Sequence, residues 1–320
     1  MTSNNSTTFP SSNKEQSDSF DDPNLKPIYI YLSFTTSIVF AVSSFVAVAG
    51  NFLTVVAIWR KEALRTPSFA LLGGLALTDF CTGLITKPLY VAYKLTNLMV
   101  NKKYTIWLCV NPVVQFFALY FGWLTLLIMT LMSIERWLYM ARSSLLTVHR
   151  VIVVLGLLVL LPIPISVTPL LSHSRENECV PNVAEIVMEC ISLLCCVAIS
   201  VAYFKVFKII RSHQNQVQAN HSSQNFGQPA IDVLKYKKSV FTILYILALY
   251  YCCFLPVTSL YLLSSVVKFN SKIRFAASEM SVALFLISSS LNPFLYFWRI
   301  GDLRNEVKRL IRTKILCKKN

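Results

Sequence analysis

The sequence predicts an all-α membrane protein: a seven-transmembrane helix bundle with a short amphipathic cytoplasmic helix after span seven. Of the 320 residues, 55% are hydrophobic and only 14% charged, against about 25% charged in an ordinary soluble domain. Mean hydropathy is +0.56, so too little polar surface is available to enclose the chain in water. The apolar residues also fall into seven runs, each near the roughly 20 residues a helix needs to cross the hydrocarbon.

Spans one (28–59), three (104–134), six (239–267) and seven (280–298) carry no charge. Span four (151–174) has His173 at its end, span two (66–86) contains Asp79, and span five (183–204) contains Glu185 and Glu189. Pro88, Pro162, Pro164, Pro169, Pro256 and Pro293 would break soluble helices, but in a bundle neighbouring helices satisfy the freed backbone groups. The organisation read from these runs is an extracellular disordered tail over 1–27, a seven-span domain over 28–299, and an amphipathic helix with a cytoplasmic tail over 300–320. The tail has no early apolar core and so does not read as a cleavable signal. Its sequons at Asn4 and Asn5 are consistent with an outside, glycosylated N-terminus.

Net charge is +15, which in so apolar a chain points either to nucleic acid or to charge sorted across a membrane. With the N-terminus outside, the inner joints and tail hold 20 cations and five acids, and the outer segments 10 cations and nine acids. The surplus therefore lies on one face, as the positive-inside rule requires. It fixes orientation, suits an anionic inner leaflet, and excludes a nucleic-acid binder.

An ionisable group at membrane depth is costly and reads as functional. Asp79 is the clearest, within Leu75-Ala76-Leu77-Thr78-Asp79; the bland alternative is a buried acid held by hydroxyl neighbours. Other marks follow in order. Gly50-Asn51 lies in span one and Glu135-Arg136-Trp137 ends span three. Phe254-Leu255-Pro256 lies within span six, and Asn292-Pro293-Phe294-Leu295-Tyr296 closes span seven. A basic amphipathic segment, 301–317, comes next.

In that order on seven spans, these residues resemble the rhodopsin-like (class A) G protein-coupled receptors, and the resemblance covers about 29–317. It implies a ligand-activated, multi-pass receptor of the plasma membrane whose partners are an extracellular ligand, a heterotrimeric G protein and membrane lipids. Glu135 and Arg136 correspond to the acid–arginine switch, and Tyr203 and Tyr296 to tyrosines that turn inward on activation. Pro256 corresponds to the kink of helix six, with Phe254, Asn292 and Pro293 completing the switch. Asn51, Asp79, Thr125, Ser289 and Asn292 resemble a central polar pocket, with a possible sodium ion at Asp79 the only metal or cofactor implied. Cys109 and Cys179 match a disulfide tethering the second outer loop, and Cys317 a palmitoylation site. The remaining cysteines, Cys81, Cys190, Cys195, Cys196, Cys252 and Cys253, read as packing residues.

The chain departs from the family pattern in several places. Span four lacks the usual tryptophan, Cys195 stands where span five usually has proline, and Phe254 replaces a tryptophan. Tyr236 replaces an acid that in some members faces the arginine. Arg136 is then restrained by Glu135 alone, which predicts appreciable basal signalling. Cys109 lies 27 residues before Arg136, two more than the family spacing.

Leu286 stands where opsins carry the retinal lysine, excluding that chemistry. Residues 111–120 hold no acid, which argues against a biogenic amine. Lys87, Tyr90 and Lys94 recur at i, i+3 and i+7 on one helix face. With Tyr93, Glu185, Glu189, Glu279, Lys268 and Arg274 they form a mixed-charge rim. That rim suits a peptide or zwitterionic ligand; the alternative is that these side chains snorkel to the interface. The polar stretch 211–232 reads as a disordered inner loop.

No enzyme is predicted, since neither a His/Glu metal motif nor a Ser/His/Asp arrangement is present. The alternative function is a seven-span transporter or channel, which would predict inverted repeats that the sequence does not display.

Overall fold

The computed structural model describes residues 26–99, 104–141, 147–172, 183–220, 245, 248–249, 251–256, 258–260, 263 and 271–316. Every regular element among them is helical. Six helices are long and apolar enough to cross a bilayer: Pro27–Arg60, Pro67–Thr96, Val110–Met140, Val148–Leu171, Cys190–Ser212 and Ala276–Arg299. A shorter apolar helix, Tyr251–Leu260, lies where the sequence puts span six.

Spans one and two are joined by a 3-10 turn, Glu62–Leu64. Thr66 caps span two by accepting the Phe69 N–H, and Pro67 sits in the first turn, where a missing N–H costs nothing. Farther on, Pro88 cannot donate to the carbonyl four residues back, and its ring crowds that carbonyl. The helix widens just before it into a π turn, Thr82–Thr86, closed by the Lys87 N–H on the Thr82 carbonyl. The widening changes the register. In a regular helix Asp79 and Lys87 would point about 80° apart, but a turn that absorbs one extra residue brings them to within about 20°.

Prolines also break span four, into Val148–Leu158, Ile163–Ser166 and Thr168–Ser172. Carbonyls freed there need partners inside the apolar layer. The Tyr120 hydroxyl of span three supplies one, donating to the Val159 carbonyl at 3.0 Å.

Span five runs without interruption over Val183–Asn220, since Cys195 replaces the expected proline. Residues 211–220 continue this helix, correcting the expectation of a disordered loop over 211–232. No Gly or Pro falls between 183 and 220, so helix propensity carries it past the span. Residues 221–232 lie outside the described residues.

Span one packs along spans two and seven, and span three touches spans two, four and five. The outer face is apolar, with Phe45 80% exposed and Trp59 76%, and the interior sets Asn51, Thr54, Asp79, Thr86 and Lys87 beside an apolar core that includes Leu71, Leu75 and Leu126. Lipid offers no hydrophobic drive between helices, so small and polar contacts hold them together. At Gly50 an added Cβ would come within 2.7 Å of the Pro293 Cβ, and at Gly83 within 2.7 Å of the Ala47 Cβ. Glycine at both positions is what lets span one lie so close to spans seven and two. The last helix, Gly301–Leu316, packs on spans one and seven. It buries Leu303, Val307 and Leu310 and leaves Arg304, Lys308 and Arg309 exposed.

Candidate functional site

Spans two and seven are joined by a ladder of polar contacts. At its base, the Asn292 amide donates to an Asp79 carboxylate oxygen at 2.7 Å. One step up, the Lys87 ammonium donates to the Ser290 hydroxyl and, at 3.4 Å, to the Ser43 carbonyl of span one. Ser290 itself donates to that carbonyl at 2.7 Å. At the top, Lys94 pairs with Glu279. The Asn51 amide adds span one, donating to the Ala47 carbonyl at 2.9 Å and the Ser289 carbonyl at 3.0 Å.

The ladder includes Asn51, Asp79, Ser289 and Asn292 of the expected polar pocket; Thr125 is buried on span three. Its unexpected member is Lys87, which is 0% exposed. Side chains of a helix lean toward its N-terminus, so the ammonium reaches back from Lys87 toward Asp79. Both side chains are buried on span two and are held by span seven, Asp79 at Asn292 and Lys87 at Ser290. The Asn51 Oδ1 is buried without a hydrogen-bond partner and could serve a cation at Asp79.

At the outer end, Lys94 and Glu279 are both buried. The Lys94 ammonium stands over three tyrosine rings, 5.3 Å from the centroid of Tyr90, 5.6 Å from Tyr93 and 5.9 Å from Tyr29. Neither Lys87 nor Lys94 snorkels to the interface. The second carboxylate oxygen of Glu279 is buried without a hydrogen-bond partner.

The inner end is held more loosely. Glu135 accepts a 2.7 Å hydrogen bond from Ser68 of span two, while Arg136 approaches it only to 3.7 Å. Among the described residues this is the one ion pair of Arg136. The Lys205 ammonium of span five lies 4.0 Å from the Trp137 ring centre, a cation–π contact between spans three and five. The Tyr203 and Tyr296 hydroxyls are buried without hydrogen-bond partners, a condition that costs about 1–3 kcal/mol each.

Phe254 packs against Phe285 of span seven with ring centres 6.0 Å apart. A Cβ on Gly122 of span three would come within 2.8 Å of the same Phe285 ring, so one aromatic bridges three spans. The Tyr251 hydroxyl donates to the Cys196 carbonyl at 2.8 Å, tying span six to span five. Sequence reasoning singled out neither Phe285 nor Tyr251, because nothing sets them apart from other aromatics in apolar runs. Leu286 is buried in span seven and Pro256 is half-buried in span six. Asn4, Asn5, Cys179 and Cys317 lie outside the described residues, as do the side chains of Cys109, Glu185 and Glu189.

A family model described as 7 transmembrane receptor (rhodopsin family) matches residues 50–296. Mouse sphingosine 1-phosphate receptor 2 is 24% identical over 275 residues, covering 81% of this chain and 71% of that protein. Sheep adenosine receptor A3 is 23% identical over 300 residues, covering 85% and 87%. The crystal structure of squid rhodopsin superposes with a TM-score of 0.71 at 15% identity, over 90% of this chain and 87% of that one.

Proposed function

Because the chain belongs to the rhodopsin family of seven-transmembrane receptors, we propose that its ligand is a zwitterionic small molecule or a peptide that engages the Lys94–Glu279 pair. The broader function follows from membership: the protein is a multi-pass membrane receptor, activated by an extracellular ligand and signalling through a heterotrimeric G protein. Its relatives are receptors rather than enzymes, and the transporter or channel alternative is not favoured.

The buried ion pair among Tyr29, Tyr90 and Tyr93 carries the ligand reading. A ligand with one charge of each sign can take both partners, its anionic group on Lys94 and its cationic group on Glu279. Two new pairs then replace one, and no charge is left buried alone, which is the costly outcome. A singly charged ligand would strand one partner. Glu185 and Glu189 of span five would extend the same rim.

Signalling is a population shift, in which the ligand binds one arrangement better and enriches it. Arg136 needs to give up only a 3.7 Å pairing to meet a G protein. The unbonded Tyr203 and Tyr296 hydroxyls are groups that another arrangement can satisfy, and Pro256 supplies the kink about which helix six swings. The same reading puts the N-terminus outside the plasma membrane, with Asn4 and Asn5 glycosylated, Cys109 bonded to Cys179, and Cys317 palmitoylated beside the basic helix.

Two measurements test this. Purified receptor with G protein should show ligand-free nucleotide exchange, and Arg136→Ala should lower it by about tenfold to a hundredfold, the worth of a charged hydrogen bond. In a cell-based screen, a zwitterion or peptide that activates the receptor should lose potency on either Lys94→Met or Glu279→Gln. Agonists confined to neutral molecules indifferent to both changes would sink the ligand reading and leave the receptor assignment intact.

A further inference from the structure

We propose that Lys87 is the resident counter-cation of Asp79, so that the central pocket is neutralised by the protein's own ammonium and does not take up sodium. The polar atoms that Lys87 touches are neutral, the Ser290 hydroxyl and the Ser43 carbonyl. They accept two of its three protons without balancing its charge. Asp79 and Lys87 are the acid and the base that span two buries on either side of the π turn. Both are buried, and a buried charge persists when an opposite charge compensates it.

Three local features assemble the pair. The π turn at Thr82–Thr86 rotates Lys87 onto the face of Asp79. Pro88, immediately after it, favours that turn. Span seven then holds both ends on one short segment, Asp79 at Asn292 and Lys87 at Ser290, two residues apart. With one negative and one positive charge the pocket is neutral. A sodium ion would raise it to a net positive charge in a poorly solvating interior, weakening sodium binding relative to the same pocket without the ammonium.

The consequence is a receptor whose stability and basal signalling do not respond to sodium as such, and in which a single substitution creates the response. The test uses full-length receptor in lipid nanodiscs, with unfolding followed in sodium chloride against choline chloride at matched ionic strength. The wild type should unfold at the same temperature in the two salts. Lys87→Met should gain a saturable, sodium-specific rise of about 3 °C or more, together with a sodium-dependent fall in ligand-free nucleotide exchange. A saturable sodium-specific rise in the wild type overturns the proposal, and so does a folded Lys87→Met that gains none. If Lys87→Met does not fold, Asp79→Asn alone and the Asp79→Asn/Lys87→Met pair decide. Removing both charges should leave a receptor more stable than Asp79→Asn, and a double variant no better than that single one overturns the pairing.

Discussion

The side of the bundle formed by spans one, two and seven differs in construction from the side formed by spans three, five and six. On the first, close approaches at Gly50 and Gly83 and the contacts at Asn292, Ser290 and Glu279 tie the helices at successive depths. On the second, the described contacts include the Tyr251 hydroxyl to the Cys196 carbonyl at 2.8 Å and to Ser200 at 3.3 Å, Lys205 over Trp137, and Phe254 against Phe285 of span seven. Tyr203 is left with an unbonded hydroxyl. Polar contacts between helices are short-ranged and directional, so a helix tied at several depths moves with its neighbour, while one tied at a single point can pivot. The described contacts thus divide the bundle into a frame tied by buried polar pairs and a side tied mainly by aromatic ones.

If that division is right, substitutions on the frame should cost stability and those on the pivoting side should alter activity. The largest effect is expected from Glu279→Ala. It leaves the Lys94 ammonium buried without its acid, a change worth about 3–5 kcal/mol, read as a large drop in unfolding temperature. Removing both charges in Lys94→Met/Glu279→Leu should recover most of the loss. Next is Gly50→Val, which forces side-chain atoms into the 2.7 Å approach to Pro293 and should cost about 1–3 kcal/mol as overpacking, again read by unfolding. The smallest is Tyr251→Phe, which removes the 2.8 Å bond to the Cys196 carbonyl, worth about 1 kcal/mol. It should raise ligand-free nucleotide exchange several-fold while hardly changing the unfolding temperature. A Tyr251→Phe receptor that is clearly less stable but no more active would erase the distinction between the two sides.

The spans were legible in the sequence because a bilayer imposes one length and one composition on any helix that crosses it. Six of the expected spans lie on helices long enough to cross, and Tyr251–Leu260 is a helical part of span six, with two differences of detail among the described residues. Span four is broken at its prolines, and span five runs on to Asn220. The central pocket was legible in part. Asp79 stood out as a lone acid in an apolar run, and Asn292 as part of a motif. Lys87 was visible too, but it was assigned to the outer rim with Lys94, because a regular helix would not place it over Asp79. The pairing of Lys94 with Glu279 was not legible at all: the two lie 185 positions apart, and both had been counted only as members of a rim.

The sequence by itself determined what the chain dissolves in, how many times it crosses, which face is basic, and which residues stand at membrane depth. Those properties depend on composition and spacing along one helix at a time. Tertiary structure alone decided which buried charge faces which. That choice depends on a π turn that resets helical register and on how closely glycine lets one span approach another. Both are properties of packed helices, which no single span carries in its own sequence.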